Sequence, residues 1–327
     1  MEFGIEILPN VKAYEIEYYA KLAEDSGFDY VWITDHYNNR NAFVILSALA
    51  KSTQKVKIGT GVTNPFHVNP AVIASAIATV NEMSGGRAVL GIGAGDKFTL
   101  ERIGVERRVP TKAVKEAVEI IRGLLRGDVV DFKGEVFRVD KAKLSFKSGD
   151  VPIYVGAQGP KMLKLASRIG DGVLINASHP KDVEFAVNNL EPKDDFDVAV
   201  CSAFSVDSNR DVAIQNAKVV VAFIVSSCPK EVLERHGIDE EITENIRRAL
   251  NDAFAKGNWK ELEKAVSDEI VEVLSISGTP EDVVERIEEL KRLGVTQFVV
   301  GSPIGRDKAK AIKLIGKEII PNLREGS

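Results

Sequence analysis

Eight times along this chain of 327 residues a short β-favouring run leads toward a helix-favouring stretch, and no other feature restricts the fold as much. FGIEIL (3–8) precedes a helix over 12–26 ending at Gly27, and YVWIT (30–34) precedes one over 42–53. VKIGTG (56–61) leads to a helix over 70–83, which opens on Pro70, where a missing N–H costs little. AVLGIG (88–93) leads to a helix over 110–126. PIYVGA (152–157) is followed by a helix over 160–169, and GVLIN (172–176) by one over 180–190. FDVAVCSAFSV (196–206) and TQFVVG (296–301) supply the last two strands. This cadence implies a parallel sheet with right-handed crossovers. Eight units fit an α/β fold of the (β/α)8 TIM-barrel type better than a dinucleotide-binding pair of halves, which needs about six strands.

Two stretches break the rhythm and read as insertions in a single domain spanning 1–327. VVDFKGEVFRVDKAKLSF, within 128–149, reads as β runs turning at Lys133-Gly134. The segment near 208–275 reads as helices over 210–226, 230–256 and 258–275. Beyond it Thr279 caps a helix with Pro280 at its first position and acidic residues in its first turn.

Composition narrows the function. A net charge of −5 and the lack of a Lys/Arg block interleaved with aromatics leave no electrostatic footprint for nucleic acid. Cys201 and Cys228 lack the spacing of a disulfide scaffold or zinc site, and no His/Cys/Asp/Glu spacing suggests any other metal. The start carries no signal-peptide pattern, and no apolar run approaches the ~20 residues of a membrane span. A reduced, cytoplasmic setting away from membranes is the expectation.

In a barrel of this kind chemistry sits at the C-terminal strand ends. Phe3, Ile5 and Ile7 alternate with Gly4, Glu6 and Leu8, so that Glu6 faces the interior, where a carboxylate pairs with a cation, keeps a raised pKa, or serves as an acid or ligand group. The second strand ends in TDHY (34–37), where Asp35 caps the loop or meets a ligand and His36 is a candidate base; His67, His179 and His236 read as bystanders or edge contacts. The third ends in GTGVTNPFHVNP (59–70), whose small residues let a flat ring approach the backbone. GAQGPK (156–161) and NASHP (176–180) precede helices and together favour an anion over simple turns. RAVLGIGAGDKF (87–98) has glycines at 91, 93 and 95 but Asp96 where a dinucleotide fingerprint needs its third glycine, and a loop of ~14 residues before the next helix. Its glycines are expected to leave room for a ring or its tail.

FGIEILPN, DYVWITDHYNNRN, IGTGVTNPFHVNP, MSGGRAVLGIGAGD, YVGAQGPKMLKLASRIGDGVLIN and GTPEDVVERIEELKRLGVTQFVVGSPIG together resemble the bacterial-luciferase-like flavin and deazaflavin oxidoreductases, over nearly the full chain. TDHYNNRN and VTNPFHVNP are similar to the branch of coenzyme F420-dependent methylenetetrahydromethanopterin reductases from methanogens and related archaea. The resemblance implies that reduced coenzyme F420 passes hydride reversibly to a tetrahydromethanopterin-type substrate, without a metal, in a homo-oligomer of two or four chains. It implies that Asp35 and Thr60, Gly61, Val62 and Thr63 contact the cofactor tricycle, with a non-prolyl cis peptide at Gly61-Val62. It places the cofactor phosphate on Gly156, Ala157, Gln158 and Gly159, beside Asn176, Ala177 and Ser178. Glu6 is the candidate catalytic acid, while His36, Asn64 and Asp96 are candidates for orienting cofactor or substrate. Competing readings are an F420-dependent dehydrogenase of alcohols or sugar phosphates, with His36 as base, an FMN-dependent monooxygenase, and a non-catalytic flavin-binding protein.

Overall fold

The computed structural model describes residues 1–325, which divide into two compact units. The larger comprises Glu2–Ile175 and Ala186–Ala199. Its elements are β1 (Glu2–Ile7), α1 (Ala13–Asp25), β2 (Tyr30–Ile33), α2 (Ala42–Ser52), β3 (Lys57–Thr60), α3 (Pro70–Ser84) and β4 (Ala88–Ile92). There follow α4 (Lys97–Arg102), α5 (Pro110–Leu125), β5 (Val130–Lys133), β6 (Arg138–Ala142), β7 (Ile153–Gly156), α6 (Pro160–Ile169) and β8 (Gly172–Asn176). Parallel neighbours run in the order β1-β2-β3-β4-β7-β8. β5 and β6 pair antiparallel, and their turn is fixed by Glu116, whose carboxylate accepts the N–H groups of Glu135, Val136 and Phe137, each at 2.9 Å.

The period-two pattern of β1 is realised. Phe3, Ile5 and Ile7 are buried, while Glu6 stands in register with Trp32 and, through it, Gly59. The Trp32 ring meets the Tyr154 ring of β7 at 5.3 Å between centroids, although β3 and β4 lie between their strands, so this row lines the concave face of the sheet. Room for the rings comes from glycine on neighbouring strands: a Cβ at Gly59 would meet Trp32, and one at Gly172 would meet Tyr154. At the other end of the row Lys57 donates to the Tyr30 hydroxyl, which donates to Glu2, and Tyr154 donates to Asp197 at 2.6 Å. Burial and the adjoining Asp197 push the Tyr154 phenol well above its ordinary range.

The smaller unit comprises Met1, Asn176–Phe185 and the chain from Val200 onward. It holds most of α7 (Pro180–Asn188) and β9 (Asp197–Val206), then α8 (Arg210–Ser227), α9 (Lys230–Arg235), α10 (Glu240–Lys256), α11 (Trp259–Ala265) and α12 (Asp268–Leu274). β10 (Ile276–Gly278), α13 (Pro280–Arg292), β11 (Gln297–Ile304) and a C-terminal helix complete it, the last formed by α14 (Lys308–Leu314), a π turn over Ile315–Ile319, and α15 (Ile320–Glu325). Strands run β10-β9-β11.

Helices α8 to α12 surround a core of their own, with Ala217, Val221 and Val225 packed among Ile246, Leu250, Leu262 and Val271. The helix expected over 230–256 is broken in two, because Gly237 takes φ +72° and Asp239 caps a new start by accepting the Ile242 N–H. The helix expected over 258–275 is likewise broken, Ser267 capping α12 at Ile270. β10 and the six-residue α4 are too short to show in the residue pattern. His236 is no edge contact: only 3% exposed, it bonds Asp182 at 2.7 Å, and Arg235 pairs with the same carboxylate, so α9 is fastened to α7.

Glu24 of α1 fixes the approach to β3. Burial alone would raise its pKa, but bonds from the N–H groups of Lys55, Gln54 and Val56, together with Lys21, hold it at about 2 instead of the ordinary 4.5. A carboxyl with a depressed folded pKa stabilises fully above its unfolded value and loses that contribution as pH falls through the folded value. Glu24→Gln should therefore be less stable than the parent at neutral pH, the gap in thermal midpoint closing between pH 4.5 and about 2. A gap independent of pH would contradict this account.

Candidate functional site

β3 does not simply end at Thr60. The Gly61-Val62 peptide is cis, matching what the family resemblance implied, and the chain rejoins β4 one residue later, with Thr63 bridged to Ile92. Gly61 N–H bonds the Ile33 carbonyl at 2.8 Å, Thr63 N–H bonds Gly91 at 2.9 Å, and Gly93 N–H bonds Thr63 at 2.9 Å. Residues 61 and 62 thus stand out of the ladder while both sides of it stay hydrogen-bonded, as in a bulge.

The glycines of RAVLGIGAGDKF serve this bulge. A Cβ at Gly91 would strike the Thr60 carbonyl oxygen and the Leu174 side chain. One at Gly93 would lie 2.9 Å from Val62, and one at Gly95, whose φ is +69°, would lie 2.9 Å from Asn64. The room they leave is filled by the protein itself, correcting the expectation that a ring or tail occupies it. Val62 also packs against Gly156 of β7, at 3.2 Å from where a Cβ would be.

Beyond the bulge Thr63 donates its hydroxyl to Asp35 Oδ2 at 2.6 Å, and His67 Nε2 lies 3.3 Å from the same oxygen. The Asp35 side chain is 6% exposed and that of His67 18%. Burial pushes the Asp35 carboxyl upward, but the bonds from His67 and Thr63 and the neighbouring His67 and His36 outweigh it and hold the group below its ordinary range. His67, expected to be a bystander, is therefore a member of the site. Its signal in the sequence was weak, because 32 positions separate it from Asp35 and only the bulge folds them together. Asn64 fixes that loop, its Oδ1 accepting the N–H groups of Phe66 at 3.1 Å and His67 at 3.3 Å.

The other candidates fall into distinct groups. The Thr60 hydroxyl is buried and bonded to Gly91 from both sides, donating to its carbonyl at 2.7 Å and accepting its N–H at 3.1 Å, so it works within the sheet. Asp96 is exposed and caps α4, accepting the Thr99 N–H at 2.7 Å and hydroxyl at 2.6 Å. His36 is half-buried, with its carbonyl accepting the Asn39 N–H. Ala157 N–H is taken by the Leu174 carbonyl, while Gly159 is the N-cap of α6, with open space where its side chain would be. In the smaller unit Ala177 is tied to β9 by the Cys201 carbonyl and Ser202 hydroxyl; Asn176 is exposed and Ser178 buried. Thr34, absent from the sequence-derived candidates, is 6% exposed and its Oγ1 has no hydrogen-bond partner. Among the described residues no group of three or more His, Cys, Asp or Glu is placed to hold a metal ion, and no helix is long and apolar enough to cross a membrane.

The luciferase-like monooxygenase family profile matches residues 1–297. The chain belongs to that family. The family's α/β fold of the (β/α)8 type is the one expected from the strand cadence. Within the family the chain is 59% identical over 332 residues to the 5,10-methylenetetrahydromethanopterin reductase of Archaeoglobus fulgidus, covering 99% of this chain and all of that one. The structure of the coenzyme F420 dependent tetrahydromethanopterin reductase from Methanopyrus kandleri superposes with a TM-score of 0.92 at 44% identity, covering 98% of this chain and 99% of that one. A more distant family member, the F420-dependent glucose-6-phosphate dehydrogenase of Nakamurella multipartita, is 31% identical over 93% of this chain and 91% of its own length.

Gly91→Ala should lower stability by about 1–3 kcal/mol, because the Thr60 carbonyl it would strike is backbone and cannot rotate away. Denaturant midpoints measure this; a variant as stable as the parent would show that β3 and β4 can separate freely.

Proposed function

We propose that this chain is a coenzyme F420-dependent 5,10-methylenetetrahydromethanopterin reductase, an oxidoreductase that forms 5-methyltetrahydromethanopterin reversibly. The observation that carries the reading is 59% identity to the Archaeoglobus fulgidus reductase across 99% of the chain, against 31% to an F420-dependent glucose-6-phosphate dehydrogenase.

The residues present fit a deazaflavin. The bulge at Gly61-Val62 sets Val62 on Gly93 and Gly156 as a firm apolar wall, and beside it Asp35 is locked by Thr63 and His67. The side chains of Thr60 and Thr63 are committed to β4 and to Asp35, so Gly61, Val62 and Asp35 are the members of that group able to meet a ring. Gly156, Gln158 and Gly159, at a turn opening helix α6, suit the phosphate of the cofactor tail. Bound there, reduced F420 supplies a hydride.

What the chain must add is a proton. The methylene carbon of the substrate bridges two nitrogens as a cyclic aminal, a poor hydride acceptor until one nitrogen is protonated and the ring opens to an iminium ion. Glu6 stands in the concave row with Trp32 and Gly59, and its carboxyl is the group assigned to protonate that nitrogen. Asp35, held below the ordinary carboxylate range, is unsuited to carry a proton at neutral pH, which leaves the acid role assigned to Glu6. Proximity of two reactants in one pocket supplies much of the remaining acceleration.

The reading is tested by mixing the protein with reduced F420 and methylenetetrahydromethanopterin and following the oxidised deazaflavin absorbance. Appearance of that band is expected; no change with this pair, but loss of the band when oxidised F420 is mixed with an alcohol or sugar phosphate, would favour the dehydrogenase alternative. Glu6→Gln should bind F420 as the parent does while turnover falls by roughly 10²–10⁴. Near-parental turnover would remove Glu6 from the acid role.

A further inference from the structure

Thr34 lies one step beyond the end of β2, its N–H still reaching the Ile7 carbonyl at 3.4 Å, so the alternation of that strand continues through it. Tyr30 and Trp32 face the concave side, as their ring contacts with Tyr154 show, and Thr34 follows them on the same side. It stands one position past the Ile33–Thr60 pair, where the bulge at Gly61 begins, above the layer of Glu6, Trp32 and Gly59.

Its hydroxyl is buried and has no hydrogen-bond partner. This is uncommon for a native interior, where such a group nearly always finds one. The adjoining threonines differ: Thr60 is bonded to Gly91 and Thr63 to Asp35. Thr34 is thus the unsatisfied hydroxyl among three, and Leu8 and Gly61, at the ends of the neighbouring strands, are partly exposed.

We infer that the Thr34 hydroxyl is a hydrogen-bonding contact for the polar edge of the bound deazaflavin ring. The inference rests on the function proposed above and adds a residue to it. A hydroxyl both donates and accepts, so it suits a ring edge that presents carbonyl oxygen and ring nitrogen. Asp35 follows it in the chain and Gly61 is hydrogen-bonded to Ile33 just before it, so a ring meeting those two comes up to Thr34. No bond within the protein has to break for this contact to form.

The test is spectroscopic titration of oxidised F420 into the parent protein, Thr34→Val and Thr34→Ser, with thermal unfolding of each in the absence of cofactor. Thr34→Val exchanges the hydroxyl for a methyl of similar size. It should unfold no earlier than the parent, since it loses no internal bond, yet bind F420 about tenfold more weakly. Thr34→Ser, which keeps the hydroxyl, should bind within about threefold of the parent. The inference is overturned if Thr34→Val binds as tightly as the parent, or if Thr34→Ser loses as much affinity as Thr34→Val. It is overturned equally if Thr34→Val raises only the KM for the pterin and leaves the F420 dissociation constant unchanged. A parent protein that fails to bind F420 would instead overturn the proposed function.

Discussion

The backbone contact between Thr60 on β3 and Gly91 on β4 is the constraint on which the candidate site depends. With no side chain at 91, the Thr60 hydroxyl bonds both the carbonyl and the N–H of Gly91, closing the ladder just before the chain departs from it. That closure lets residues 61 and 62 stand out and Thr63 return to β4 in register. Thr63 then reaches Asp35, the Asn64-anchored loop brings His67 to the same carboxylate, and Val62 is pressed onto Gly93 and Gly156. A side chain at 91 would part the strands and disturb all of these contacts together, since a packed interior absorbs little added volume.

The second organising element is a pair of carboxylates, Glu6 on β1 and Asp35 two residues past the end of β2. Asp35 is nearly enclosed yet remains an anion, because a hydroxyl and an imidazole converge on one of its oxygens. Glu6 stands in register with Trp32 and, through it, Gly59, in the layer beneath Thr34. In the proposed reduction of an aminal, Glu6 is assigned the proton and Asp35 the fixed charge. Alternation along β1 puts Glu6 on the concave side, while Asp35 is fixed beyond the end of β2 by Thr63 and His67.

Much of the fold was legible because its signals are local. A strand of alternating residues or a Pro-opened helix announces itself within a few positions, and the eight strands were placed within a residue or two of their observed bounds, save the last, TQFVVG, which continues as β11 to Ile304 and leads into the C-terminal helix that the reading did not place. Short elements lacked such a signal: α4 is held by the Asp96 cap and β10 by pairing with β9, both tertiary facts on too few residues to leave a period. The helix breaks at Gly237 and Ser267 were missed because the apolar pattern runs on across them into one common core.

The sequence by itself determined the strand–helix cadence, the inward parity of Glu6 and the family, since these follow from residue type and order. Only tertiary structure decided what each candidate side chain does. It turned Asp96 into a helix cap, spent the Thr60 hydroxyl on a neighbouring strand, drew His67 into the site and left Thr34 buried without a partner. The physical reason is that a polar group's role is set by which donor or acceptor lies within about 3 Å of it, and those partners come from strands and loops distant in the chain.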